Sequence, residues 1–248
     1  TRISDLQPLA NLTALTALNC SRSWISDLQP LAQLNALTTL NVALTSVADL
    51  RPLAQLAGLE SLDCNSTLVS DLQALSQIRA LTTLDCSGTQ VETLEPLAKL
   101  AALRSLHCSR TKISELGPLA KLTSLTTLDC SRIRLHDLRP LRNLAALSLL
   151  DCSLTHVRDL RPLSKLCALE TLRISFTPVS DLQPLARLSV LKTLDCSETH
   201  ISELSPLAQL PALTGDALSV FRPGQSRTGL ATSLQAWQAA RAWRRQMA

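Results

Sequence analysis

The chain has 248 residues, 46% of them hydrophobic and 18% charged, which is the balance of a globular protein and excludes a disordered one. Tyrosine is absent and only two phenylalanines and three tryptophans occur, so leucine must build the core; apolar residues come singly, so neither a transmembrane run nor a secretory signal is expected in this stretch. Residues 1–210 hold 19 basic and 19 acidic side chains, and the net charge of +4 lies wholly beyond them, a poor footprint for nucleic-acid binding.

In chain order, the sequence opens inside a repeat, since Thr1 aligns with Thr111, and the expectation is that the chain is trimmed or that more protein lies upstream. From there one unit recurs without gaps every 22 residues. Leucines fall at 18, 40, 62, 84, 106, 128, 150, 172 and 194, and two residues later come Cys20, Val42, Cys64, Cys86, Cys108, Cys130, Cys152, Ile174 and Cys196. A proline column runs from Pro8 to Pro206 with one gap at Ala74, and Ile78 is the exception among the remaining leucine columns. The unit reads L-x-x-L-x-C-S-x-T-x-[IV]-S-D-L-x-P-L-A-x-L-x-x. A period this short cannot bury its own apolar face, so neighbouring units must stack into a solenoid. The pattern ends at Leu213, because the next strand leucine would fall on Asp216. Residues 214–229 then read as a loop turning at Pro223–Gly224, and Leu230 to Ala248 as a capping helix.

These columns resemble the leucine-rich repeats, in the 22-residue form of the bacterial internalins and SDS22-like proteins; "ISDLQPLAQL"-like segments match that form's convex side, and the resemblance covers residues 1–213. It implies an α/β fold: a right-handed solenoid or horseshoe with short parallel strands inside the curve and short helical or 3-10 segments outside. Local chemistry agrees, since proline suits the first helical position and the aspartate three residues earlier suits an Asx turn. The chain departs from the family in two columns. Cysteine replaces the usual leucine before the turn, and threonine (Thr45, Thr67, Thr89, Thr111, Thr155, Thr177, Thr199) replaces the asparagine ladder, with Ser23 and Ile133 as variants. A threonine ladder of hydrogen bonds is expected, weakest at Ile133.

Alternation puts Leu84 and Cys86 on one strand face and Thr83, Asp85 and Ser87 on the other, so the cysteines point inward. Val42 and Ile174 can pack in their place but cannot ligate or oxidise, and a spacing of 22 suits no zinc site. Packing is the reading, oxidation between adjacent coils the alternative. Stacked thiols favour a reducing compartment, the cytoplasm, and the resemblance leaves delivery to a host cytosol open. Cys167, at a variable turn position, is the candidate reactive thiol.

The outward strand column reads Asn19, Asn41, Asp63, Asp85, His107, Asp129, Asp151, Arg173, Asp195. It is either solvated repeat consensus or an acidic groove whose register His107 and Arg173 set. The loops after the strands vary more, with Trp24, Leu44, Leu68, then the basic block Arg110, Lys112, Arg132 and Arg134, then Leu154 and Phe176. Aromatic, leucine and arginine side chains along one rim suit a protein interface. The candidate protein-binding set is therefore Asp85, His107, Asp129, Asp151, Arg173, Trp24, Arg110, Lys112, Arg132, Arg134 and Phe176.

The four histidines lie in four coils and no phosphate-binding loop occurs, so no catalytic, metal or cofactor site is expected. The reading is a protein–protein interaction module, monomeric, with a protein partner, no nucleic acid and no membrane contact by the C-terminal helix. The alternative, from the resemblance, is the substrate-recognition arm of a larger bacterial effector or signalling enzyme.

Overall fold

The computed structural model describes residues 3–214 and 218–220. Ten strands form one parallel sheet in sequence order: β1 Ala17–Asn19, β2 Thr39–Asn41, β3 Ser61–Asp63, β4 Thr83–Asp85, β5 Ser105–His107, β6 Thr127–Asp129, β7 Leu149–Asp151, β8 Thr171–Arg173, β9 Thr193–Asp195 and β10 Leu218–Ser219. Each strand meets its equivalent one coil on, so Leu62 pairs with Leu84 and Asp63 with Asp85. Between strands the chain returns through short 3-10 turns such as Gln29–Leu31 and Arg51–Leu53, each with the column proline inside it. This is the leucine-rich-repeat horseshoe that the repeat implies.

The sheet continues one strand past the end read from the sequence. Leu218 pairs with Leu194, and the Cys196 amide donates to the Ser219 carbonyl at 2.8 Å. The last coil is two residues longer than the rest, so a strict step of 22 lands on Asp216 and misses the strand. The expected capping helix lies outside the described residues.

Every coil after the first turns the same set inward. In one of them Ile25, Leu28, Leu31, Leu34, Leu37, Leu40 and Val42 are all buried, and the set repeats in the next as Val47, Leu50, Leu53, Leu56, Leu59, Leu62 and Cys64. Each buried aliphatic side chain contributes about 1.5–3 kcal/mol of transfer free energy, and stacking joins the coils into one continuous core.

The turn after each strand is where the repeat's polar letters act. The aspartate that ends the strand accepts the amide two residues on: Asp85 from Ser87 at 2.9 Å, Asp129 from Ser131 at 2.9 Å, Asp151 from Ser153 at 3.0 Å. The threonine hydroxyl then donates back to the carbonyl three residues before it, as Thr89 does to Cys86 and Thr155 to Cys152, both at 2.6 Å. These threonine bonds close each coil on itself, whereas the sequence suggests a ladder running from coil to coil. The coil-to-coil bonds are made by backbone, as from the Cys86 amide to the His107 carbonyl at 2.9 Å. Ile133, buried in the threonine column, leaves its coil without the hydroxyl clasp. Between the two clasps sits a residue with positive φ in every coil: Arg22, Leu44, Ser66, Gly88, Arg110, Arg132, Leu154, Phe176 and Glu198. On the outside, Asp27, Asp49, Asp71, Asp137, Asp159 and Asp181 each accept the amide two residues ahead at 2.8 Å, the Asx turn expected before the proline.

All eight cysteines are free thiols, seven buried and Cys167 exposed. Burial pushes Cys86 and Cys196 up to about 12 and Cys20 up to about 11 from the ordinary 9.0, and it raises Cys64, Cys108, Cys130 and Cys152 as well. The thiols pack as small hydrophobes.

The fold keeps the neutral thiol, so folding holds its stability below pH 9, where the unfolded thiols are also neutral. As pH rises from about 9 towards about 12 the unfolded chain ionises first, and each buried thiol then removes up to about 1.4 kcal/mol per pH unit. Denaturant midpoints measured across that range should fall steeply, and less steeply in Cys86→Val. At the turn, Gly88→Ala should cost about 1 kcal/mol in the same assay, because a Cβ there meets the Ser66 hydroxyl at 3.1 Å and φ is +68°.

Candidate functional site

Two rows of side chains remain once the inward set and the clasps are accounted for. The concave row runs in register across β4 to β8, pairing Asp85 with His107, His107 with Asp129, Asp129 with Asp151 and Asp151 with Arg173. Its aspartates are half-buried, and each uses one oxygen to cap its turn. This gives the acidic column a structural role that neither sequence reading contained. His107 and Arg173 give that cap up. The His107 Nε2 lies 3.2 Å from the Ser105 hydroxyl, and the Arg173 guanidinium lies 3.8 Å from Asp151 Oδ2.

The second row is the rim where the chain leaves the strands. Arg110 and Arg132 occupy the left-handed position of adjacent coils with φ of 55° and 59°, and Phe176 takes the same position two coils on. Lys112 and Arg134 lie two residues after it, in the column that also holds Trp24 and Leu68. The structure therefore brings Arg110, Lys112, Arg132 and Arg134 together as one exposed block. Lys112 also pairs with Glu92 at 3.3 Å. Trp24 is four coils away along the row, about 19 Å at strand spacing, so it belongs to a separate end. Phe176 is two coils from Arg132, about 10 Å away.

The exposed large side chains of the rim are Trp24 at 69%, Phe176 at 55%, Leu68 at 59%, Leu44 at 48% and Leu154 at 38%. All five sit in these two columns. Left-handed backbone favours glycine and costs an L-residue about 1 kcal/mol or more, yet only Gly88 takes that option. The sequence gives one sign of this strained column, the lone glycine among arginine, leucine and phenylalanine in C-S-x-T.

Below the rim an open cleft of about 650 Å³ lies between two coils, lined among others by Ser114, Glu115, Gly117, Arg134, His136 and Arg139. Gly117 stands where other coils carry glutamine, arginine, glutamate or serine before the proline, and a Cβ there would meet nothing within 4 Å. The His136 ring stacks on His156 of the next coil, with centroids 4.8 Å apart. Sequence reasoning missed both features. Gly117 is visible as an odd letter in its column, but the histidine pair is not, because 20 residues separate its members.

His107 lies on the concave face and Cys108 is buried, so the two do not form a nucleophile–base pair. Among the described residues no three of His, Cys, Asp and Glu gather as metal ligands, and no helix is long and apolar enough to cross a membrane.

Known proteins share this arrangement. The family model of leucine-rich repeats in two copies matches residues 79–120 and again 101–143. A crystal structure of the internalin InlF from Listeria monocytogenes superposes with a TM-score of 0.84 at 30% identity, covering 91% of this chain and 66% of the internalin. Internalin C2 of the same organism gives 0.71 at 29% identity, covering 77% of this chain and 82% of its own. The functional domain of InlJ from L. monocytogenes, described as including a cysteine ladder, gives 0.65 at 25% identity, covering 91% of this chain and 58% of that one. The chain thus spans slightly under two thirds of InlF and less of InlJ. Comparison with curated protein sequences gives no match. With its period read from the residues, seen in the coils and matched by an independent model, this chain belongs to the leucine-rich-repeat family, in the form that bacterial internalins carry.

Proposed function

We propose that the chain is a protein-binding module that holds its partner with the concave row of β4 to β8 and the rim from Arg110 to Phe176. Leucine-rich-repeat proteins of the internalin type are generally protein-binding modules. The observation that carries the reading further is the left-handed column. Arg110, Arg132, Leu154 and Phe176 are large, exposed side chains at positions where glycine would relieve the backbone, and they contribute nothing to the buried core. Folding gives no reason to keep them, whereas an interface with aromatic, leucine and arginine anchors does. His107 and Arg173 support the same surface, because each forgoes a turn cap that an aspartate would supply.

The cytoplasmic expectation does not follow from the thiol stack. Burial raises every thiol in it and leaves little thiolate to oxidise, so the stack by itself does not select a reducing compartment.

The test separates stability from binding. In the triple variant Arg110→Gly, Arg132→Gly and Phe176→Gly, the unfolding free energy should stay level or rise by up to about 1 kcal/mol per site, since relieved strain is offset by added chain entropy. Recovery of a partner by affinity capture and mass spectrometry should fall at least about tenfold, a loss of about 1.4 kcal/mol. A partner captured equally by wild type and triple variant would remove the rim from the interface. Concave variants His107→Asp and Arg173→Asp, which restore the cap, test the other row in the same way.

A further inference from the structure

Resting on that reading, we infer that the partner presents an extended acidic segment to the rim and seats one of its carboxylates in the cleft beside Gly117. Arg110, Arg132, Arg134 and, in the next coil beside the rim, Arg158 are exposed and make no ion pair among the described residues. Three convex-side arginines, Arg51, Arg139 and Arg161, instead each fold back on the aspartate two residues before. The rim block is thus a cluster of cations open to an external acid, and its four guanidinium groups lie over two coil steps, about 10 Å. An extended strand covers that length in about three residues, so a short acidic run matches it.

The cleft gives the run a fixed point. It opens where Gly117 stands in place of the long polar side chain common in its column and Glu115 in place of the aspartate that caps the turn in most coils, the same two columns departing again at Glu203 and Ser205. Neither change serves the fold. Arg134 belongs to both the rim block and the cleft wall, so a carboxylate can meet the guanidinium and the His136 ring together. His156 holds that ring in place by stacking. Glu115 and Asp137 line the same cleft. They would repel a polymer whose backbone linkages themselves carry the charge, such as polyphosphate or nucleic acid, but can accept the neutral amides of a peptide backbone. The cleft therefore favours a protein segment over those polyanions.

The probe is fluorescein-labelled hexaglutamate, followed by anisotropy at low salt, with hexaglutamine as the neutral control. Hexaglutamate should bind and hexaglutamine should not. Affinity should fall at least about tenfold in Arg132→Glu/Arg134→Glu and severalfold in Gly117→Gln, which restores the repeat's own residue where a Cβ has free space. Binding unchanged in Gly117→Gln would overturn the cleft while leaving the rim standing. Equal binding of the two peptides would overturn the acidic partner without touching the proposed interaction module, whose own test is the glycine series. Inorganic polyphosphate displacing hexaglutamate at a lower charge concentration would also overturn the peptide assignment. Circular dichroism and denaturant midpoints of Gly117→Gln should match wild type, so loss of binding there is not loss of fold.

Discussion

Everything in this solenoid depends on one turn. After each strand the chain must leave the sheet, and it does so by placing a single residue in left-handed backbone, two positions after the inward cysteine or its substitute. That conformation is held from both sides: the strand's last aspartate accepts an amide just before it, and the threonine just after it donates to the carbonyl at the strand end. Two net hydrogen bonds of about 1 kcal/mol each balance a backbone cost of similar size. The motif D-C-S-x-T is thus a chemical statement of one bend, and its recurrence keeps successive strands in register. The coil of Ile133, which lacks the hydroxyl, still bends alike because its neighbours on both sides are fixed by backbone bonds.

The same turn divides the coil into two kinds of position. Residues before it face inward or cap it, and any change propagates into a core shared with neighbouring coils. The left-handed residue itself points outward, with its backbone conformation already set by the clasps. Arginine, leucine, phenylalanine, serine, glutamate and glycine all occur there. Chemical variety at a strained but exposed site is what a binding surface needs, because each coil can carry a different group without disturbing the stack. The rim is variable for the same reason that the core is uniform.

This division also explains what the sequence discloses. Inward columns are legible because stacking forces the same residue type on every coil, so Val42 and Ile174 are informative exceptions to cysteine and the strand register follows without ambiguity. The end of the sheet was hidden by arithmetic: two added residues shift Leu218 off the period although its pairing with Leu194 is regular. The aspartate column looked like a surface because alternation gives only the face, and a side chain on the outer face can still bond its own backbone. Threonine was legible as a bonding column but not as an intra-coil one, since a repeat puts a same-coil carbonyl and a next-coil carbonyl equally near in sequence pattern. Of the rim, the residues were legible as departures from consensus. Their left-handed backbone was not, because a column holding only one glycine gives no period of its own.

Net charge is misleading for a solenoid. Residues 1–210 are neutral in sum, yet the sum combines three separate populations. On the convex side, arginines such as Arg51 and Arg161 are matched by aspartates two residues away, and the Arg161 guanidinium beside Asp159 holds that carboxyl below its usual range. On the concave side, carboxylates such as Asp85 and Asp129 stand in a row with one oxygen committed to the turn. On the rim between them, Arg110, Arg132 and Arg134 gather without an ion pair among the described residues. Screening confines each population to its own face, since the Debye length of about 8 Å in physiological salt is shorter than the distance around a coil. A partner therefore meets local fields of opposite sign on adjoining surfaces. An acidic stretch drawn to the rim is repelled by the concave row beside it, and that pairing of attraction with repulsion fixes where the stretch lies.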